Sequence, residues 1–210
     1  MKITKITRSQ RVPGRVYLDF EGGGSLRVTD AQLADYSLYT GRELDGEELQ
    51  ALTAAAGASS ARARALRFLG ARGMSRRAMI DRLVEKGEDA LAAEETADWL
   101  EKIGMLNDAE YARAVARHYA SRGYGTRRIR DEFFKRKLAR ETWEAVLAEL
   151  PEDDDGLLSL IESKLRGERP DRAAQKRVTD ALVRRGFSWD EVKSAMRRYL
   201  DNTDKNGEYD

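Results

Sequence analysis

Trp143, Val146 and Leu150 stand 46 residues before Trp189, Val192 and Met196. Apolar residues at i, i+3 and i+7 line one face of a helix. Their recurrence at a fixed period constrains the chain to a stack of similar helical units. The central helices of those units also line up, as Met79-Leu83-Gly87, Ile129-Phe133-Lys137 and Val178-Leu182-Gly186. In each, two apolar residues four apart are followed by a helix-closing position four further on. Glycine takes the left-handed conformation there without steric cost; the middle unit has Lys137 at that point. Trp99 lies 44 residues before Trp143 but late in its helix, so it is outside the series.

The pattern from Ala61 onward is helical throughout. Ser75 is a good N-cap before Met79, Ile80, Leu83 and Val84, and Asn107-x-x-Glu110 and Ser188-x-x-Glu191 have the spacing at which two side chains cap a helix start reciprocally. Ala93, Ala97, Leu100 and Ile103 mark another helix. Tyr111, Val115, His118 and Tyr119 are expected to line the face of the next, and Leu157, Leu158, Ile161 and Leu165 that of a later one. The fold class is therefore mainly α: three tandem three-helix repeats at 59–106, 107–150 and 151–200, forming an elongated solenoid, with 201–210 expected to be a disordered tail. Such units bury little apolar surface alone and must stack.

The first 58 residues read differently. Val16, Leu18 and Phe20 alternate with polar neighbours, Gly22-Gly23-Gly24 supplies a turn, and Leu26 and Val28 resume the alternation. This is a β-hairpin signal, and an earlier strand runs through Ile3 and Ile6. Two short helices follow, opened by Thr29-x-x-Gln32 and Asp45-x-x-Glu48. The small residues of Ala54–Ser60 predict a joint between this N-terminal β-hairpin/helix module, 1–58, and the repeats.

Composition excludes several classes of function. There is no cysteine and one histidine, so disulfides, Cys-His dyads and Cys/His zinc clusters are ruled out. No apolar run reaches the roughly 18 residues of a membrane span, and MKITKITRSQR lacks the apolar core of a secretory signal. A cytoplasmic protein is expected. His118, on a helix face between Val115 and Tyr119, reads as structural. Gly22-Gly23-Gly24 lies in a hairpin, and Gly123-Tyr124-Gly125 lacks the Lys-Ser/Thr of a phosphate loop. Glu94-Glu95 reads as a solvated helix surface. The expectation is no enzyme, no metal and no cofactor.

The net charge of +1 hides segregation. Eight Lys/Arg face two acids between Ser121 and Arg140, whereas Pro151–Gly156 reads PEDDDG. Local fields of this kind steer partners. The candidate partner-binding residues are Arg122, Arg127, Arg128, Arg130, Lys135, Arg136, Lys137 and Arg140, because guanidinium groups match phosphate and carboxylate geometry. Ile129 and Phe133 hold the inward positions of the same helix.

Two stretches carry a resemblance. Gly104-Met105-Leu106-Asn107-Asp108-Ala109-Glu110-Tyr111-Ala112 resembles the RecX-family pattern of Gly, an aromatic or Leu, Leu or Ile, Asp/Asn-Asp, two residues, then Phe/Tyr-Ala. Gly125–Phe133 resembles that family's Gly-Pro-x-x-Ile-x-x-Glu-Leu, with Thr126 for proline and Phe133 for leucine. Met74–Gly87 resembles its first-unit pattern, with Ala78-Met79 at the Glu-Leu positions. The N-terminal strands followed by Thr40-Gly41-Arg42-Glu43-Leu44-Asp45 resemble an extension found in some members. The chain departs from the pattern at Lys137-Leu138, where Gly-Ile is usual, and through most of the third unit. The resemblance covers nearly the whole chain. It implies a non-enzymatic regulator that binds the RecA nucleoprotein filament and inhibits its ATPase, strand-exchange and coprotease activities; the stacked units, whose apolar faces satisfy one another, are expected to form a monomer. Single- or double-stranded DNA is a further expected partner. Read from the residues alone, a general DNA-binding helical-repeat protein and a helical protein–protein adaptor stay open.

Overall fold

The computed structural model describes residues 1–151, 154–166 and 169–207. The chain divides into two compact units, Met1–Leu106 and Asn107–Asp210.

The first unit begins with an antiparallel sheet in the order β1 (Ile3–Arg8), β2 (Arg15–Phe20), β3 (Ser25–Thr29). Val16 pairs with Val28 and Leu18 with Leu26, so the alternating residues share the core face. Ile3 and Ile6 are three apart, and a regular strand would put them on opposite faces. A register shift between Ile3 and Lys5 brings both to the core. Gly22, Gly23 and Gly24 all have positive φ in the β2–β3 turn. The stretch 41–44 lies along the start of β1: Gly41 N–H donates to the Ile3 carbonyl at 2.8 Å, and Ile3 N–H to that of Arg42 at 2.9 Å.

Helix α1 (Asp30–Asp35) and helix α2 (Gly46–Ala71) both open with the reciprocal caps expected at Thr29/Gln32 and Asp45/Glu48. The second is not short. It runs unbroken for 26 residues, about 39 Å, through the expected joint at Ala54–Ser60 and across the boundary at 58. The small residues serve packing and hydrogen bonding instead. Ala56 is buried against the sheet, Gln32 Nε2 donates to Ser59 Oγ at 3.0 Å, and Arg27 of β3 bonds Ser60. Ser60 in turn reaches Glu88, which also takes Arg64 Nε at 2.7 Å. One helix thus contributes Leu52 and Ala56 to the sheet core and Ala65 to the next.

That next core joins the end of α2 to α3 (Arg76–Glu85) and α4 (Ala90–Lys102) through Met79, Ile80, Leu83, Ala93, Ala97 and Leu100. Val84 and Ile103, placed on the apolar stripes by spacing, are half-exposed. Ser75 caps α3 through Ala78 N–H, and Gly87 closes it with φ 83°. Glu94 is not merely solvated. Arg76 at the start of α3 gathers Glu94, Asp98 and Glu101, one stripe of α4, and these contacts, Asp98 foremost, raise the Arg76 pKa against the penalty of burial.

The second unit has two three-helix cores. In the first, α5 (Asp108–Ala120), α6 (Thr126–Lys135) and, after a 3-10 turn at Arg140–Thr142, α7 (Trp143–Ala148) enclose Ala112, Val115, Ala116, Ile129, Phe133 and Val146. The buried stripe of α5 runs through its alanines. His118 is exposed, its ring edge-on to Tyr119 at 5.4 Å, so the expected inward placement of His118 is corrected. In the second core, α8 (Asp154–Leu165), α9 (Arg172–Arg184) and α10 (Trp189–Gly207) enclose Leu157, Ile161, Val178, Leu182, Val192, Met196 and Tyr199. Ser188 and Glu191 cap α10 reciprocally. Helix α10 continues through residues 201–207, which were expected to be a disordered tail; 208–210 lie outside the described residues. Thr203 Oγ1, in that extension, bonds the Tyr199 carbonyl at 2.9 Å.

Candidate partner-binding surface

Helix α6 is strongly amphipathic: Ile129 and Phe133, four apart, are its buried apolar residues, and Glu132 is buried beside them. The cations are left to the flanks and the outer side, and the structure sorts them into different roles.

Three of them surround one acid. Glu132 is only 5% exposed. Lys135 Nζ reaches its carboxylate at 3.0 Å, Arg128 Nη2 at 3.4 Å, and Arg136 bonds it closely as well as donating to the Glu132 carbonyl at 3.2 Å. Burial disfavours the charged carboxylate, but hydrogen bonds from Arg136, Lys135 and Tyr119 outweigh it and hold the pKa at about 2. Arg136 also lies over the Tyr119 ring at 5.6 Å. Arg128, Lys135 and Arg136 are therefore engaged with the body of the unit.

Arg130 forms a two-pronged pair with Glu144 of α7, at 3.2 and 3.0 Å, which lowers the Glu144 pKa. Arg140 lies over the Trp143 ring at 5.7 Å. Arg122 Nη1 sits 3.3 Å from His118 Nε2. Lys137 is exposed with φ 56°, the left-handed conformation its glycine counterparts Gly87 and Gly186 adopt. Arg127 is exposed, and among the described residues its side chain has no ion pair.

The eight cations thus lie on one helix and its two flanking turns, and among the described residues Arg122, Arg127 and Arg140 are exposed and pair with no carboxylate. Sequence reasoning missed a neighbour. Phe134 is 66% exposed and stands seven residues after Arg127 and four after Arg130, on their face of α6. Its signal was present: an apolar residue one step off the Ile129-Phe133 stripe. Tyr124, at the turn before α6, packs against Tyr119 with ring centroids 5.6 Å apart.

The start of α6 is set by a close backbone contact. Gly125 N–H donates to the Arg185 carbonyl at 3.1 Å, and Arg127 N–H to that of Gly186 at 3.0 Å. A Cβ on Gly125 would lie 2.3 Å from the Gly186 oxygen, and one on Gly186 would lie 2.4 Å from Arg128 N. Only glycine fits at either position.

A second surface was not singled out from the sequence. Trp189, used there as a repeat marker, is 60% exposed and lines an open groove of about 530 Å³ between α9 and α10. Among the described residues, no three His, Cys, Asp or Glu side chains gather in a way that would hold a metal ion, and no helix is long and apolar enough to cross a membrane.

Comparison with known proteins bears on these helices directly. The model of the RecX second three-helix domain matches residues 107–147, and that of the RecX third three-helix domain matches 152–196. The chain is 33% identical over 141 residues to a "Regulatory protein RecX" of Xanthomonas axonopodis pv. citri, covering 66% of this chain and 87% of that one. It is 24% identical over 214 residues to the protein of that name from Streptococcus uberis, covering 100% of this chain and 81% of the relative. Among solved structures, one described as a crystal structure of regulatory protein RecX superposes with a TM-score of 0.69 at 22% identity, over 93% of this chain and 98% of the other. The structure of RecX from Lactobacillus salivarius gives 0.64 at 20% identity, over 69% and 97%. At that identity the structures establish the fold; with the family models and the Xanthomonas relative, they establish that the chain belongs to the RecX family.

Proposed function

We propose that the chain is a non-catalytic regulator that docks on the RecA recombinase filament and lowers its ATPase, strand-exchange and coprotease activities, acting in the cytoplasm in homologous recombination, DNA repair and the SOS response. Family membership carries this reading: the helices matched by the RecX models are those that present the cationic face of α6. The face itself supports a protein partner. Arginines grouped around an exposed aromatic ring, Phe134, have the composition of an interface hot spot. The non-catalytic part rests on the sequence, which has one histidine, no cysteine and no phosphate loop.

The test is inhibition of RecA ATPase on single-stranded DNA by the wild type, by Arg122→Glu/Arg127→Glu and by Phe134→Ala, at low and moderate salt. The wild type is expected to inhibit. Charge-assisted contacts contribute about 1–3 kcal/mol each, so the double reversal should need at least about tenfold more protein for the same effect. Its thermal midpoint should barely move, because exposed charges add little to folding. The wild-type effect should weaken as salt rises. Equal inhibition by all three proteins would place the docking face elsewhere, and no inhibition by the wild type would overturn the proposal.

A further inference from the structure

The groove between α9 and α10 has a composition unlike that of α6. Arg172 and Lys176 stand four apart on α9, and Lys193 and Arg197 four apart on α10; all four line the groove, opposed by Asp180 alone among its lining acids. On α6 most cations are neutralised by Glu132 or Glu144. In the groove, none of the four has an ion pair among the described residues. Like charges at i, i+4 repel, and here two such pairs line one cleft. An anion lying along the cleft would relieve that repulsion.

The aromatic lining supplies the second observation. Trp143 and Trp189 hold the same register in successive units. Trp143 packs against Phe133 with centroids 5.8 Å apart and donates Nε1–H to the Leu138 carbonyl at 3.2 Å. Trp189 has Leu182 at the repeat position of Phe133, remains 60% exposed, and its indole N–H makes no hydrogen bond among the described residues. Its indole face is open at one end of the cationic stripe Trp189-Lys193-Arg197, which repeats every four residues along α10. Cations that follow a backbone beside an aromatic platform are the means by which proteins bind single strands: the phosphates take the charges and an unstacked base takes the ring. A duplex keeps its bases stacked and offers the ring nothing, and an acidic peptide meets the cations but not the platform.

We propose that the α9–α10 groove binds a single-stranded nucleic acid, its phosphodiester backbone along Arg172, Lys176, Lys193 and Arg197 and one base stacked on Trp189. This binding needs no recombinase and does not depend on the α6 face.

The test is fluorescence anisotropy of a labelled oligothymidylate with the full chain and no RecA, over a salt series. Parallel titrations use a duplex of the same length and a polyglutamate peptide. Lys193→Gln/Arg197→Gln should raise Kd at least about tenfold and reduce the slope of log K against log salt by about two. Trp189→Ala should weaken binding about fivefold or more, and Trp189→Phe, which keeps a ring, should restore most of it. Because Trp189 is exposed, its variants should keep the wild-type urea midpoint. Arg122→Glu/Arg127→Glu should bind the oligonucleotide as the wild type does, which separates this site from the filament-docking face. The proposal is overturned if the oligonucleotide does not bind, if neither groove variant weakens it, or if duplex or polyglutamate binds as tightly as the single strand.

Discussion

The N–H of Arg127 donates to the carbonyl of Gly186 across 3.0 Å, so the C-terminal end of α9 caps the N-terminus of α6. A helix start leaves backbone N–H groups without partners, and Gly125, the residue at the cap of α6, has no side chain to supply one. The carbonyl end of another helix supplies it instead, and the opposed ends of the two helix dipoles attract. Within the second compact unit, this backbone contact ties the α5–α7 core to the α8–α10 core, and it explains why the family-like motif opens with glycine at 125.

Substitutions at the two glycines should therefore cost more than left-handed strain alone. Gly87→Ala is the control: its φ is 83° and a Cβ there meets nothing within 4 Å. It should lose about 1–2 kcal/mol in urea unfolding, the penalty of the conformation. Gly186→Ala adds a collision with Arg128 N to a φ of 94°, and should lose at least about 3 kcal/mol. Gly125→Ala, with ordinary φ, should also lose more than Gly87→Ala. Equal losses at 87 and 186 would mean that the close approach is not retained in solution.

Lys137 makes the converse prediction. It holds φ 56° with a Cβ where the first and third units use glycine. Lys137→Gly should raise stability by about 0.5–1 kcal/mol, the relief of left-handed strain less the extra entropy of an unfolded glycine. A loss of stability would show that the lysine side chain contributes more than its backbone costs.

Glu132 predicts acid sensitivity with a definite sign. Its folded pKa of about 2 lies below the ordinary 4.5. Its stabilisation is thus complete above about pH 5 and is lost as pH falls from there towards 2. A depression of this size corresponds to on the order of 3 kcal/mol. Glu144, and Glu149 of the turn after α7, whose carboxylate accepts from Arg113 of α5 at 2.7 and 3.0 Å, are also lowered and shift stability in the same direction, so the informative quantity is a difference. The wild-type urea midpoint should be flat from pH 7 to 5 and fall below it. Glu132→Gln, which leaves Arg128, Lys135 and Arg136 around a neutral group, should be less stable at pH 7 by about 2–3 kcal/mol and converge on the wild type towards pH 2. Parallel curves would remove Glu132 from the account.

Apolar periodicity determined the strands, the repeat and the helices from α3 to α9. Ile129 and Phe133, Val178 and Leu182, and Val192 and Met196 are buried as their spacing requires, because a 3.6-residue turn leaves such residues no other way to leave water. Caps such as Thr29/Gln32 and Ser188/Glu191 are also local, each made within four residues, and so were legible. Tertiary structure decided what depends on distant partners. Ala54–Ser60 reads as a joint until the sheet packs on Ala56 and Gln32 and Arg27 reach Ser59 and Ser60; then small residues are what close packing requires. Arg127 and Arg136 are the same residue nine positions apart on one basic stretch, yet one faces outward and the other is held by Glu132 and Tyr119. Trp143 and Trp189 share a register, but the first ring packs on Phe133 whereas the second is left 60% exposed. Charge and aromaticity are written in the sequence; whether they are already satisfied within the fold depends on neighbours that only the packed chain brings together.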